Sequence, residues 1–143
     1  MGKKILVAYD GSYLSKQAIH EAKYQAKQEP ETEIHVISVV RPAGPSTNAI
    51  MQRNIEKELA DNFRPEMQQI KEEFESEGIS IEADVLISEH KNPGEKVCEY
   101  ANDNAIDLII VGSRGISNVR KIFLGSVSNN IVQNANCRVL VIK

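Results

Sequence analysis

Glycine is scarce in this chain, at 8 of 143 residues, and so are cysteine, long apolar runs and any excess of one charge. Each shortage excludes something. The two cysteines, Cys98 and Cys137, lie far apart and form no C-x-x-C pair. Two lone thiols and no export signal fit a reducing, cytoplasmic setting. No apolar stretch approaches the ~18 residues that a membrane span needs, so no membrane association is expected. The charge balance is 17 basic against 20 acidic residues, net −3. It lacks the basic excess of a general nucleic-acid binder, and no nucleic-acid partner is expected. The opening "MGKKILVAYDG" has no long apolar segment followed by a small-residue cleavage site. Leu6 stands where a myristoylation signal needs serine or threonine. His20, His35 and His90 share no metal-ligand spacing. Chain order alone indicates no Ser-His-Asp or Cys-His grouping.

What is present is an alternation of two periods. Residues 3–9 are a short apolar run. Residues 12–28 carry Leu14, Ala18, Ala22 and Ala26 at four-residue spacing, a helical stripe. Residues 33–40 are β-branched and strand-like, and residues 41–48 read as a loop. Apolar residues from Met51 to Phe74 then recur at intervals of four and three. They predict one long helix ending near Gly78, kinked or split at Pro65 because proline lacks the amide proton. Residues 79–87 alternate apolar with polar or small, which predicts a strand near a sheet edge. Asn92, Pro93 and Glu95 mark a helix start. "DLIIVG" is a buried-type strand, "GSVSNNIVQNA" opens a helix and "CRVLVIK" is a last strand. Strands alternating with helices predict a doubly wound, Rossmann-like α/β domain over residues 1–143, its parallel sheet covered on both faces.

In such sheets ligands bind beyond the carboxyl ends of the strands. Two segments reach that place. "YDGS" follows the first strand, where Asp10 either caps the first helix or meets a ligand. The other follows "DLIIV" with the spacing Gly112-x2-Gly115-x9-Gly125-Ser126. Glycines there permit positive φ or close approach of a ligand. A helix opening at Gly125 would offer unpaired amides and the positive end of its dipole to a phosphate, with Ser126 and Ser128 adding hydroxyls. The competing reading is that these glycines only make turns. The segment is neither a G-x-G-x-x-G nor a Walker loop, since no lysine follows Gly125. Arg114 is equally suited to a phosphate or to solvent.

With that glycine spacing, the opening "KKILVAYDGS", the second-strand "IHVISV" and the closing "CRVLVIK", the chain resembles the universal stress protein family, specifically its ATP-binding members. The resemblance implies a five-stranded parallel sheet in the order 3-2-1-4-5 and an ATP site, with Mg or Mn as counter-ion. Ala8 and Tyr9 would line the adenine pocket, although Ala8 stands where some ATP binders have proline. Asp10 would contact ribose or the metal, Val36 would offer backbone groups to the adenine edge, and Val111 would pack by the ribose or base. Gly112, Arg114 and Gly115 would meet the phosphates from one side. Gly125, Ser126, Val127 and Ser128 would meet them from the other.

Three functions compete. The first is a nucleotide-dependent regulatory or stress-response dimer that passes its state to an unidentified protein partner. The second is an enzyme that hydrolyses ATP or transfers a nucleotidyl group. The third is a nucleotide-free interaction dimer, against which the intact glycine spacing speaks. No general base, P-loop lysine or second acidic motif for catalytic Mg²⁺ is evident, which favours regulation over catalysis. The apolar, terminal "CRVLVIK" is the expected homodimer edge.

Overall fold

The computed structural model describes residues 2–40, 49–88, 91–114 and 125–143. The loop expected at residues 41–48, together with Gly115 and His90, lies outside the described residues. Nine elements follow one another: β1 (Lys4–Ala8), α1 (Tyr13–Gln28), β2 (Glu33–Val40), α2 (Ala49–Ser76), β3 (Ser80–Ile87), α3 (Pro93–Asp103), β4 (Leu108–Gly112), α4 (Ser126–Asn134) and β5 (Arg138–Ile142). The strands form one sheet in the order β3-β2-β1-β4-β5, every neighbouring pair parallel.

The side-chain period of two along each strand splits the core into two layers. Ile5, Val7, Ile34, Val36 and Ile110 face α1 and α2, whereas Leu6, Ile37 and Ile109 face the α3 and α4 side. All eight are fully buried, as strands covered on both faces require. On β3 only Ile81 is buried, and the exposed residues alternate as an edge strand predicts.

Ser12 caps α1 by accepting from the Ser15 amide at 3.2 Å. Its buried stripe of Leu14, Ala18, Ala22 and Ala26 lies against the sheet. Pro65 lies inside α2, and the helix continues on both sides of it, so the proline does not split it. Gly78 ends the turn after α2 at φ +77°, a conformation that costs glycine little. Lys23 and Lys27 of α1 pair with Glu73 of α2 and with Glu77 in the turn that follows it. Asn92 caps α3 through the Gly94 amide at 2.8 Å, with Pro93 in the first turn. Among the described residues no helix is long and apolar enough to cross a membrane.

Candidate functional site

The sheet order reverses between β1 and β4, where the chain leaves one strand for α1 and the other for α4. A cavity of about 420 Å³ opens there, at the carboxyl ends of the strands. It brings together Ala8, Tyr9, Asp10, Val111, Gly112, Arg114, Gly125, Ser126, Val127 and Ser128, which are ten of the twelve residues expected from the sequence.

One wall is the turn after β1. Gly11 sits at φ +82°, which lets the chain fold back so that the Asp10 carboxylate accepts from the Ser12 amide at 2.9 Å. Asp10 is half-buried, and its second oxygen takes no hydrogen bond among the described residues. The two roles open to Asp10 are therefore compatible: one oxygen orders the turn and the other is free to meet a ligand. The Tyr9 ring packs into the core under α1 and α2. Burial, then the Glu66 carboxylate, push its phenol up to about 12, so it stays neutral. Its carbonyl accepts from the buried Ser38 hydroxyl at 2.8 Å.

The opposite wall joins the end of β4 to α4. The Ser113 carbonyl accepts from the Gly125 amide at 2.7 Å and from the Ser128 hydroxyl at 3.0 Å. Gly125 caps α4 with no side-chain hydrogen bond. The first intrahelical bond there runs from the Asn129 amide to the Gly125 carbonyl, at 2.9 Å. The amides of Ser126, Val127 and Ser128 thus have no acceptor among the described residues, and the helix dipole points its positive end the same way. Arg114 is half-buried and has no ion-pair partner among the described residues.

Two expectations change. Val36 does not line the cavity: it is fully buried on the α1 and α2 side, between Val7 and Ala83, and its backbone lies in a central strand paired on both sides. Its neighbours on the other face, Ile37 and Val39, line the cavity instead. Of the two roles open to Gly112, positive φ or close approach of a ligand, it does not take the first. Ser128 is buried, and its one hydroxyl proton is engaged with backbone carbonyls rather than facing the cavity. Ser12, Ser15, Pro93 and Val97 also line the cavity; the caps of α1 and α3 place them there.

Among the described residues no group of three or more His, Cys, Asp or Glu could hold a metal ion. Cys98 and Cys137 belong to the α3 and α4 core, where burial raises both thiols and makes them poor nucleophiles. His35 is buried beneath the cavity, its Nδ1 at 2.8 Å from the Tyr100 hydroxyl.

Residues 1–143 match the Universal stress protein family. The chain is 30% identical over 152 aligned positions to Universal stress protein YxiE of Bacillus subtilis, covering 100% of each. It superposes on the solved structure of protein MJ0577 of Methanocaldococcus jannaschii with a TM-score of 0.89 at 29% identity, covering 100% of this chain and 96% of that one. A universal stress protein from Archaeoglobus fulgidus, solved in complex with dAMP, has the same fold. Its TM-score is 0.65 at 17% identity, over 100% of this chain and 98% of that one.

Proposed function

We propose that this chain, which belongs to the universal stress protein family, binds an adenine nucleotide, ATP with Mg or Mn, in the cavity between β1 and β4. In this reading it serves as a nucleotide-dependent regulator of a stress response, working as a homodimer in the cytoplasm. The observation that carries the reading is the opening of α4: three consecutive amides without acceptors among the described residues, on residues that line a cavity also lined by the apolar Ile37, Val39, Val97 and Val111. Phosphates suit the first and a purine suits the second. The size fits, since about 420 Å³ lies within the range of pockets that enclose small ligands. A relative of the same fold was solved with dAMP, an adenine nucleotide, which supports the same ligand class here.

The residues divide the ligand between them. Ile37, Val39, Val97 and Val111 offer apolar surface to the base. Asp10 offers its free oxygen to ribose or to the metal. The amides of Ser126, Val127 and Ser128, the Ser126 hydroxyl and the Arg114 guanidinium offer donors to the phosphates. The nucleotide supplies a signal of cellular energy state, and the chain's own residues bind and orient it. The test is mass spectrometry of ligand released from freshly purified protein, followed by calorimetry with adenosine, AMP and ATP. An adenine nucleotide released by the protein and rebound by it is the expected outcome. Absence of binding to all three ligands would refute the reading.

A further inference from the structure

Ser128 sits at the third position of α4 with 3% of its surface exposed, and its hydroxyl lies 3.0 Å from the Ser113 carbonyl and 3.1 Å from the Gly125 carbonyl. The single proton is shared between those two acceptors. Ser113 at the exit of β4 and Gly125 at the cap of α4 meet in the one wall that joins β4 to α4, next to the cavity's phosphate end. The Gly125 amide also donates to the Ser113 carbonyl, at 2.7 Å. Two hydrogen bonds therefore converge on one carbonyl, and only the one from Ser128 comes from a side chain. The Ser113 amide is fixed in turn by the Ile142 carbonyl at 2.7 Å.

We propose that Ser128 is a positioning residue for the phosphates: its hydroxyl holds the exit of β4 and the first turn of α4 at the spacing the cradle needs, and it does not itself donate to a phosphate. This rests on the nucleotide reading above. The argument is one of donor capacity. A serine has one proton to give, and here two backbone carbonyls hold it in a buried setting. Ser126, exposed on the same turn, is the hydroxyl left to meet a phosphate. Deleting the Ser128 hydroxyl frees the second lone pair of the Ser113 carbonyl and lets the Arg114 side and the Gly125 side drift apart. Donors that were set in advance then have to be ordered on binding, which weakens affinity.

The experiment compares Ser128→Ala, Ser128→Thr and Ser126→Ala by calorimetry with adenosine, AMP and ATP, and by amide hydrogen exchange without ligand. Ser128→Ala should weaken AMP and ATP by about tenfold, the worth of one net hydrogen bond. Adenosine, which has no phosphate, should bind as it does to the parent. The Gly125 amide should lose protection in ligand-free Ser128→Ala and keep it in Ser126→Ala. Ser128→Thr retains the oxygen and should restore both readouts. Loss of phosphate affinity in Ser128→Ala with Gly125 still protected would overturn the proposal, because it marks a direct phosphate contact. Unchanged AMP and ATP affinity would overturn it too, as would adenosine weakening in parallel. A parent that binds none of the three ligands refutes the nucleotide reading itself, an outcome distinct from all of these.

Discussion

Gly112 lies so close to Leu14 that a Cβ added to it would stand 2.7 Å from the leucine Cβ and 3.3 Å from its carbonyl carbon. The first helix packs directly over the end of β4, and glycine at this position serves that contact. Gly125 is different. A Cβ there would meet Ser113, Arg114 and Ser128 at 3.6–3.7 Å, ordinary contact distances, and its φ of −63° suits any residue. Packing among the described residues does not demand glycine at 125, whereas a ligand approaching the amides would.

The first prediction separates the two glycines. Gly112→Val should destabilise the fold by about 1–3 kcal/mol through overpacking against Leu14. Gly125→Thr should keep or raise the melting temperature, because threonine is a competent N-cap for amides that have no side-chain cap. The same variant should lose ATP, since its side chain fills the approach and its oxygen competes for the donors. Thermal melts with parallel calorimetry check both. Full ATP affinity in Gly125→Thr would remove position 125 from the site.

Much of this was legible in the sequence because strands and helices announce themselves through different periods. The four-residue stripe of Ala18, Ala22 and Ala26 and the apolar run of Leu108–Gly112 each admit one reading. The failures share a cause. Choosing Val36 over Ile37 is a choice of sheet face, and β2 is apolar on both faces, so nothing within the strand marks the wet side. Assigning Ser128 as a free donor overlooked Ser113, fifteen residues earlier, whose carbonyl becomes its partner only when the chain folds. The glycine spacing pointed to a segment that lines the cavity but could not say which glycine serves packing, since that depends on Leu14, in a distant helix.

A second prediction concerns acid stability. Hydrogen bonds from Lys23 and then Lys27 hold the Glu77 carboxyl at about 2, below its ordinary 4.5. A depressed folded-state value means stability that is present above about 4.5 and lost as pH falls toward 2. The pairs link α1 to the turn after α2 at 2.8 and 2.6 Å on a partly open surface, so salt should screen them. Glu77→Gln should lower the melting temperature modestly at pH 6 in low salt and not at pH 2. A deficit of equal size at both pH values would mean that the glutamate's charge is not what matters.

The third prediction is the homodimer through β5. Among the described residues only β4 pairs with this strand, and its other edge is open. The Ile142 carbonyl is turned toward β4, where it accepts from Ser113. By strand alternation, the amides of Val139 and Val141 point outward. Their side chains pack on the α3 and α4 core, so a charge there would disturb folding as well as pairing. Val141→Pro is the cleaner test, because it deletes an outward donor and leaves the β4 ladder in place. Light scattering should show a dimer for the parent and a shift toward monomer for the variant. A parent that is monomeric at high micromolar concentration would end the idea.

The last prediction is that bound ATP turns over slowly or not at all. The donors available to the phosphates are three backbone amides, the Ser126 hydroxyl and Arg114. They serve ground-state phosphates as well as a transition state, and uniform binding of that kind lowers a dissociation constant without raising a rate. Fast hydrolysis also needs a residue to orient the attacking water. Asp10 is the only carboxylate lining the cavity among the described residues, and one of its oxygens already holds the Ser12 amide at 2.9 Å. Contact with ribose or metal would occupy the other. Turnover should therefore fall well below the ~10 s⁻¹ median for enzymes. Phosphate and pyrophosphate release would be followed with Mg²⁺ present, in the parent and in Asp10→Ala. The variant should bind nucleotide more weakly while both proteins release product slowly. Rapid multiple turnover in the parent that disappears in Asp10→Ala would instead mark Asp10 as a catalytic residue and the protein as an enzyme.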